Sequence, residues 1–333
     1  RALGYAVTEI EGENLAGTQR ENFVNALQGR VAGLTVNNAS GLPGSSSSVV
    51  IRGVKSLSGS NQPLFIVDGL PINNRTFHTS ALASENSSAT ALYNRSVDFT
   101  NRVADINPQD IASVTVLKGP EAAALYGIEA AGGAILITTK KGQAGDGRVS
   151  YSNSFRIDKV REYPEIQQVY QQGVSGQPDP TSLRYFGPRY EAGTQLYDNI
   201  PAFFETAFTQ KHNLAFDGGS EKVTYRISSS YTGQSGVIPN TSLEKLNLGV
   251  GARAEVNKVV SADVGLYYTY SSNDQAFRGG GSPLLGLISW PSVDDATNFL
   301  NPDGTRRRIV ENGGEITVEN PYFNVNKNLL ASK

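Results

Sequence analysis

The 333-residue chain contains no cysteine and no methionine, and its only histidines are His78 and His212. Without cysteine, the chain can form neither a disulfide framework nor a thiolate metal site. Two histidines so far apart do not predict a histidine-rich metal centre. We therefore expect no metal ion and no cofactor.

Long apolar runs and a strong excess of charge are also missing. No run of 18 apolar residues occurs, which excludes a transmembrane helix but not a transmembrane β-strand, which needs only about 9–11 alternating residues. The net charge is −2 and the pI is about 5.8, so nucleic acid is not an expected partner.

Enzyme signatures are absent as well. The sequence has no nucleophile elbow, no zinc-protease helix motif and no P-loop. Asp294, Asp295 and Asp303 lack the spacing of an EF-hand calcium loop, so we interpret them as solvated loop carboxylates. We expect a protein that is not an enzyme.

The most informative stretch runs from Asp105 to Lys141 and reads DINPQDIASVTVLKGPEAAALYGIEAAGGAILITTKK. Its β-branched runs predict strands at Ala112–Leu117 and Ala134–Thr139. A short helix is expected to begin at Pro120, since proline is favoured at the first helical position. Glycines after this helix predict turns.

Three ordered blocks carry a resemblance to a known family. They are Leu27–Leu34, Val50–Gly53 with Pro63–Ile72, and Asp105–Lys141. Together they resemble the plug domain of TonB-dependent outer-membrane transporters, in the variant of the SusC/RagA family of Bacteroidetes. The plug-motif residues that this resemblance singles out as structural are Arg52, Gly53, Asp68, Gly69, Lys118, Gly119, Tyr126, Gly127 and Gly133.

The same region gives further expectations about local structure. Thr18 and Glu21 form a capping-box pattern that predicts a helix over Thr18–Gly33. Short strands are predicted at Leu34–Asn37, Val49–Arg52 and Leu64–Val67, the last followed by an Asp-Gly hairpin turn. A half-buried Arg52 is expected to be paired.

The segment Asn73–Thr100 has no hydrophobic period and is rich in Ser, Asn, Thr and Ala. Long irregular stretches in compact domains are usually functional or disordered. Candidate substrate-facing residues here are Arg75, Phe77, His78 and Tyr93. The alternative is that they are ordinary loop residues.

From Arg148 onward, the sequence alternates apolar and polar residues in about five stretches, one of them a shorter run through Leu214 and Phe216. The pattern fits a transmembrane barrel and equally a soluble β-sandwich. Connections alternate between long and short, as in outer-membrane barrels, which favours the barrel. Since a plugged barrel needs about 22 strands, we expect about three quarters of it to lie outside this chain.

The expected fold is an α+β plug domain over residues 1–147, followed by the N-terminal part of an antiparallel transmembrane β-barrel over residues 148–333. The resemblance implies TonB-dependent import of an oligosaccharide or peptide across the outer membrane of a Gram-negative, Bacteroidetes-type cell. It also implies a SusD-like surface lipoprotein as a lid, TonB bound through a segment before Arg1, and a dimer of such pairs.

Two other interpretations of the protein's function stay open. One is a non-importing receptor or structural subunit of a larger surface or secretion assembly. The other is a soluble carbohydrate-binding sandwich. Outer-membrane lipid is an expected contact, with lipopolysaccharide phosphates as an alternative partner of the cluster Arg306–Arg308. Trp290 and Tyr322 are expected to pack within loops, with sugar stacking as the alternative.

Overall fold

The computed structural model describes residues 7–56, 60–74, 98, 100–257, 259–277, 282–311, 316–327 and 329–332. Two β-sheets dominate it, a five-stranded one near the N-terminus and a six-stranded one with long strands. Within these residues, no helix is long and apolar enough to cross a membrane.

The N-terminal part, residues 7–140, is called the plug region. Its sheet has the order β1-β6-β7-β4-β5, in which only the β4–β7 pair is parallel. A separate hairpin pairs β2 with β3. The strands are β1 Val7–Glu11, β2 Leu34–Asn38, β3 Ser47–Ile51, β4 Leu64–Val67, β5 Leu70–Ile72, β6 Ile111–Leu117 and β7 Ala134–Thr139. The helices are α1 Gly12–Ala16, α2 Val24–Leu27 and α3 Pro120–Tyr126.

The predicted strands and the helix at Pro120 are confirmed, but the predicted helix over Thr18–Gly33 is wrong. Only the four residues of α2 are helical there, because Gly29 and Gly33 take left-handed φ values of 78° and 76°. The Thr18 hydroxyl donates to the Leu15 carbonyl instead of capping a new helix. The apolar spacing was nevertheless informative, since the apolar side chains of this segment are buried in the core.

The second sheet, called the long sheet, has the order β17-β14-β13-β12-β11-β8, and every neighbouring pair is antiparallel. Its strands are β8 Gly145–Asp158, β11 Ala207–Gly219, β12 Val223–Ser235, β13 Ser242–Glu255, β14 Ser261–Gln275 and the short β17 Leu330–Ser332. The five long strands match the predicted number. The run through Leu214 and Phe216, expected to be short, is a 13-residue strand.

The long sheet exposes its apolar face and buries its polar face where the plug region covers it. Thr209 and Asn273 are each 2% exposed, whereas Val149 is 66% and Leu266 is 67% exposed. Side chains of the polar face bond to the plug region. A soluble sandwich would bury the apolar face, so this arrangement contradicts that reading.

Connections between the long strands alternate in length, as predicted. Residues 220–222 and the described residues of 256–260 form short turns at one end of the sheet, and the described residues of 159–206 and 276–329 lie at the other. The long connections share an apolar cluster around Phe203 and Leu287. They contain β9 Gly173–Val174, β10 Gln177–Pro178, α4 Asn199–Phe203, α5 Pro283–Ser289, β15 Arg308–Glu311, β16 Ile316–Glu319 and α6 Pro321–Lys327.

Candidate functional site

The candidate site is the seam where the plug region meets the polar face of the long sheet. Its first charge cluster surrounds Glu21. The Glu21 carboxylate lies 2.9 Å from the Arg156 guanidinium and 3.3 Å from the Lys211 ammonium group. Lys211 also donates to the Gln19 carbonyl, and Arg156 contacts Asp158 at 2.8 Å. Strands β8 and β11 thus hold the backbone at Gln19 and the side chain of Glu21.

Electrostatics favours the ionised form of Glu21. Burial alone would raise the pKa of this carboxyl, but the positive charges of Lys211 and Arg156 outweigh burial and leave the pKa below its ordinary value. Asp105 shows the opposite balance, because burial raises its pKa more than Lys245 and Arg102 lower it. The seam therefore contains one carboxylate stabilised by its partners and one destabilised by its surroundings.

A second cluster lies toward the short turns. Both oxygens of Asp217 accept hydrogen bonds from Arg226 at 2.8 Å, and Asp110 of the plug region accepts another at 3.1 Å. The three side chains are between 12% and 18% exposed. Because breaking one partner of such a group leaves a poorly hydrated charge, this cluster holds the plug region in place.

Further hydrogen bonds join the plug region to the long sheet. Lys245 donates to the Ala104 carbonyl at 2.7 Å, and Asn247 donates to the Asp105 carbonyl. At the end of β7, the Thr139 hydroxyl donates to Asp68 at 2.6 Å and accepts from Tyr267 at 2.9 Å.

The motif residues of the plug region stand mostly at turns. Asp68 and Gly69 have φ values of 47° and 86°, as a tight hairpin turn between β4 and β5 requires. Gly127 ends α3 at φ 78°, ψ −171°, a conformation essentially restricted to glycine. A Cβ on Gly133 would lie 2.8 Å from the Leu117 carbonyl oxygen, so this position also requires glycine.

The other motif residues differ in exposure. Lys118 is 8% exposed and Tyr126 is 37% exposed. Gly119 is extended and precedes α3, and Gly53 has φ 84°. Arg52, which would need a partner if it were buried, is exposed, with φ 58°, and its backbone N–H donates to the Gly33 carbonyl. The turn after β3 directs it out of the core.

The four candidate substrate-facing residues, Arg75, Phe77, His78 and Tyr93, lie outside the described residues. In the long connections, Trp290 is 2% exposed and Tyr322 packs on Phe203 with ring centroids 5.1 Å apart, so both pack within loops as predicted. Arg306 pairs with Glu319 at 3.0 Å, and Arg307 pairs with Asp294. These two arginines are therefore not simply free surface charges.

Sequence reasoning missed the seam residues Arg156, Lys211, Arg226 and Lys245. A signal was present, because each of these cations lies on a strand face rich in Ser, Thr, Asn and Gly. Their partners lie up to 192 residues away along the chain. The pairing itself was therefore not readable from local patterns.

Two cavities accompany the site. One, of about 500 Å³, lies in the seam between the plug region and strands β8, β11 and β12. The other, of about 750 Å³, lies among the long connections beside Trp290 and the arginines. Within the described residues, no group of acidic, histidine or cysteine side chains has the arrangement of a metal site.

Known proteins of one class resemble this chain in sequence and in fold. The model of the TonB-dependent Receptor Plug Domain matches residues 1–134. The TonB-dependent receptor SusC of Bacteroides thetaiotaomicron is 28% identical over 331 residues, which cover 90% of this chain and 29% of SusC. The plug-domain match, the similarity to SusC and the RagAB structures together support a SusC/RagA-family TonB-dependent transporter.

Other relatives agree with this placement. TonB-dependent receptor P3 of Formosa agariphila is 28% identical over 95% of this chain and 28% of its own length. The structure of the RagAB peptide importer in its closed-closed state superposes with a TM-score of 0.69 at 22% identity, over 97% of this chain and 37% of that one. The chain thus spans about three tenths of the length of these curated relatives.

The plug region is accordingly a TonB-dependent receptor plug domain, and the long sheet is part of a transmembrane β-barrel of the outer membrane. The relatives are receptors and transporters, not enzymes. This agrees with the expectation drawn from the missing catalytic motifs.

Proposed function

We propose that the whole protein imports a nutrient across the outer membrane and that its plug region gates the passage. The observation that supports this most strongly is the inverted burial of the long sheet, whose polar face holds a folded domain. A solute cannot pass along that face while the plug region occupies it. Movement or remodelling of the plug region is therefore required for import.

The exposed face suits a bilayer in height and chemistry. On β12 the outward residues from Val223 to Tyr231 are apolar except for Ser229, and the aligned residues of β13 and β14 are apolar or aromatic. Nine residues of a tilted strand match the length that crosses a membrane, about 9–11 residues. Tyr231 and Tyr270 stand near one border of this band, where aromatic girdles occur.

The energy source and the lid are part of the same proposal. TonB engages the chain on the N-terminal side of the plug region and supplies force from the inner membrane. A SusD-like surface lipoprotein captures an oligosaccharide or a peptide over the long connections. Sequence similarity to SusC supports both partners.

The test is uptake by cells of the source organism. Labelled oligosaccharide and peptide mixtures are offered to wild-type cells, to cells lacking this gene, and to cells lacking TonB. We expect one mixture to enter wild-type cells alone. Binding to wild-type cells without TonB-dependent entry would instead establish a non-importing receptor and contradict the proposal.

A further inference from the structure

The long connections enclose a cavity with more positive than negative charge on its walls, here called the loop cavity. Its volume of about 750 Å³ lies within the range of about 300–1,000 Å³ that small-molecule sites occupy. Gln172 and Thr181 line it from the first long connection, and Trp290 lines it from the second. Its charged lining residues are Asp294, Arg306, Arg307 and Arg308.

One of these arginines is built into the wall of the cavity. Arg307 donates to the Asp294 carboxylate and, at 2.7 Å, to the Asn298 carbonyl. Its guanidinium group also lies 5.8 Å from the centroid of the Trp290 ring, which is a cation–π distance. These three contacts fix the orientation of Arg307, and Asp294 balances its charge.

The two remaining arginines share a single carboxylate. Glu319 stands opposite Arg308 in the β15–β16 ladder, but its carboxylate pairs with Arg306 at 3.0 Å. Across the described ranges of the chain, the exposed side chain of Arg308 makes no hydrogen bond and no ion pair. Three guanidinium groups and two carboxylates therefore leave one positive charge without a partner, and Arg308 carries it.

A buried hydrogen-bond donor lies at the same cavity. Trp290 is 2% exposed, and its indole N–H has no acceptor among the residues that the structure describes. Buried polar groups are nearly always hydrogen-bonded, so an acceptor on a ligand would satisfy this N–H. The loop cavity thus offers an unpaired cation and an unpaired donor to a bound solute.

We propose that the loop cavity binds a solute through a carboxylate group, with Arg308 as the ion-pair partner and the Trp290 N–H as a second donor to the solute. A carboxylate carries one negative charge and is planar, so it matches one guanidinium group in a bidentate pair. This inference rests on the proposed import function, because it assigns a carboxylate to the imported solute. Acidic oligosaccharides and acidic peptides share this chemistry.

Two other kinds of anion fit the loop cavity less well. A phosphate monoester carries a charge of about −1.5 to −2 at neutral pH, and only one unpaired cation lines the described part of the cavity. A bare inorganic anion would leave the aliphatic side chains of Val293, Ile309 and Val310 in contact with water. The charge and the apolar walls together favour a carboxylate on a larger organic solute.

Binding is measured by isothermal titration calorimetry with the purified full-length protein in detergent. The probes are a short oligogalacturonate, its neutral methyl ester, a peptide of glutamate and alanine, and the glutamine counterpart of that peptide. We expect at least one acidic probe to bind about ten-fold or more tightly than its neutral counterpart, as a hydrogen bond to a charged group can contribute. Added salt should narrow the difference. The acidic probe that binds identifies the source of the carboxylate.

Substitution of Arg308 tests the assignment to this side chain. Arg308→Gln should abolish the preference for the acidic probe. Arg308→Lys should keep part of it, because an ammonium group retains the charge but not the bidentate geometry. Arg184→Gln is the matched control, since Arg184 is also an exposed arginine of the long connections but does not line the loop cavity. This control should bind the probes like the wild type.

Four results would overturn the carboxylate site. They are absence of binding by every probe, equal binding of acidic and neutral probes, equal losses in Arg308→Gln and Arg184→Gln, and Arg308-dependent binding of lipopolysaccharide in place of both acidic probes. Calorimetry needs neither TonB nor uptake. Binding of an acidic probe that cells then fail to import would contradict the import function and leave the site assigned. Demonstrated import by a protein without preference for the acidic probes would contradict this inference alone.

Discussion

The plug region and the long sheet follow opposite rules of burial within one chain. In β6 the side chains of Ile111, Val114 and Val116 are fully buried, as in a water-soluble domain. In β14 the apolar Leu266 is 67% exposed and the polar Asn273 is 2% exposed. The same alternating pattern therefore gives opposite orientations, because lipid and not water covers one side of the long sheet. A polar face becomes an interior when another domain satisfies its hydrogen bonds.

The largest effect is expected from a substitution in the core of the plug region, which should destabilise that region and leave the long sheet folded. Val114→Asp places an unpaired carboxylate in the apolar core, where burial of an isolated charge costs at least about 4 kcal/mol. Hydrogen exchange of the full-length protein should show loss of protection over β6 and β7 only. The control Thr115→Asp, on the other face of β6, should change little. Equal losses in both variants would contradict the core assignment.

A smaller effect is expected on the lipid face of the long sheet. Leu266→Arg should destabilise the protein in a bilayer by about 2–4 kcal/mol if it lies at mid-depth, because a cation there must leave water. Denaturant unfolding in lipid vesicles measures it, with Leu266→Phe as the tolerated control. If this exposed face met water, the arginine would be harmless, and that outcome would refute the membrane orientation.

The seam joins the two regions and should respond to loss of Arg226. Arg226→Met leaves Asp110 and Asp217 facing each other without their shared cation, which we expect to cost about 3 kcal/mol. Exchange of backbone amides near Asp110 should rise accordingly. Arg253 offers a matched control on β13, because its partners are 3.9 Å away and its side chain is 49% exposed. Arg253→Met should cost at most about 1 kcal/mol.

The smallest effect is the pH dependence of the Glu21 contacts. The folded state lowers the pKa of Glu21 below its ordinary value. The Glu21 contacts therefore contribute fully to the free energy of unfolding when the pH is above that ordinary pKa. The contribution is lost as the pH falls through the lowered pKa. Exchange around residues 19–24 should therefore rise only on the acid side. Glu21→Gln should abolish this increase in exchange at low pH. An increase that persists in the variant would show that another group titrates there.

Local patterns predicted most of the plug strands, the helix at Pro120 and the number of long strands. They failed where a distant partner decided the outcome. Glu21 looked like a capping residue, yet it is held by Arg156 and Lys211, 135 and 190 positions away. Strand β11 was judged too short because Gln210 and His212 interrupt the apolar alternation on its outer face.

The orientation of the alternating faces could not be read from the alternation itself and was predicted only through the lengths of the connections. An alternation with a period of two residues shows only that the two faces of a strand differ. It does not show which face points to the interior. That choice depends on the seam, where Lys245 and Asn247 reach plug-region carbonyls 141 and 142 residues away. The predicted substrate-facing residues stay predictions.

The most direct test of the two opposite burial rules is spin-label accessibility along β14 of the full-length protein in a bilayer. Labels are placed one at a time at Val264, Leu266 and Tyr268, and at Gly265, Tyr267 and Thr269. The orientation described above predicts frequent collisions with lipid-dissolved oxygen at the first three positions and few at the other three, which lie on the polar side of the strand. Equal access of oxygen to both sets would contradict it.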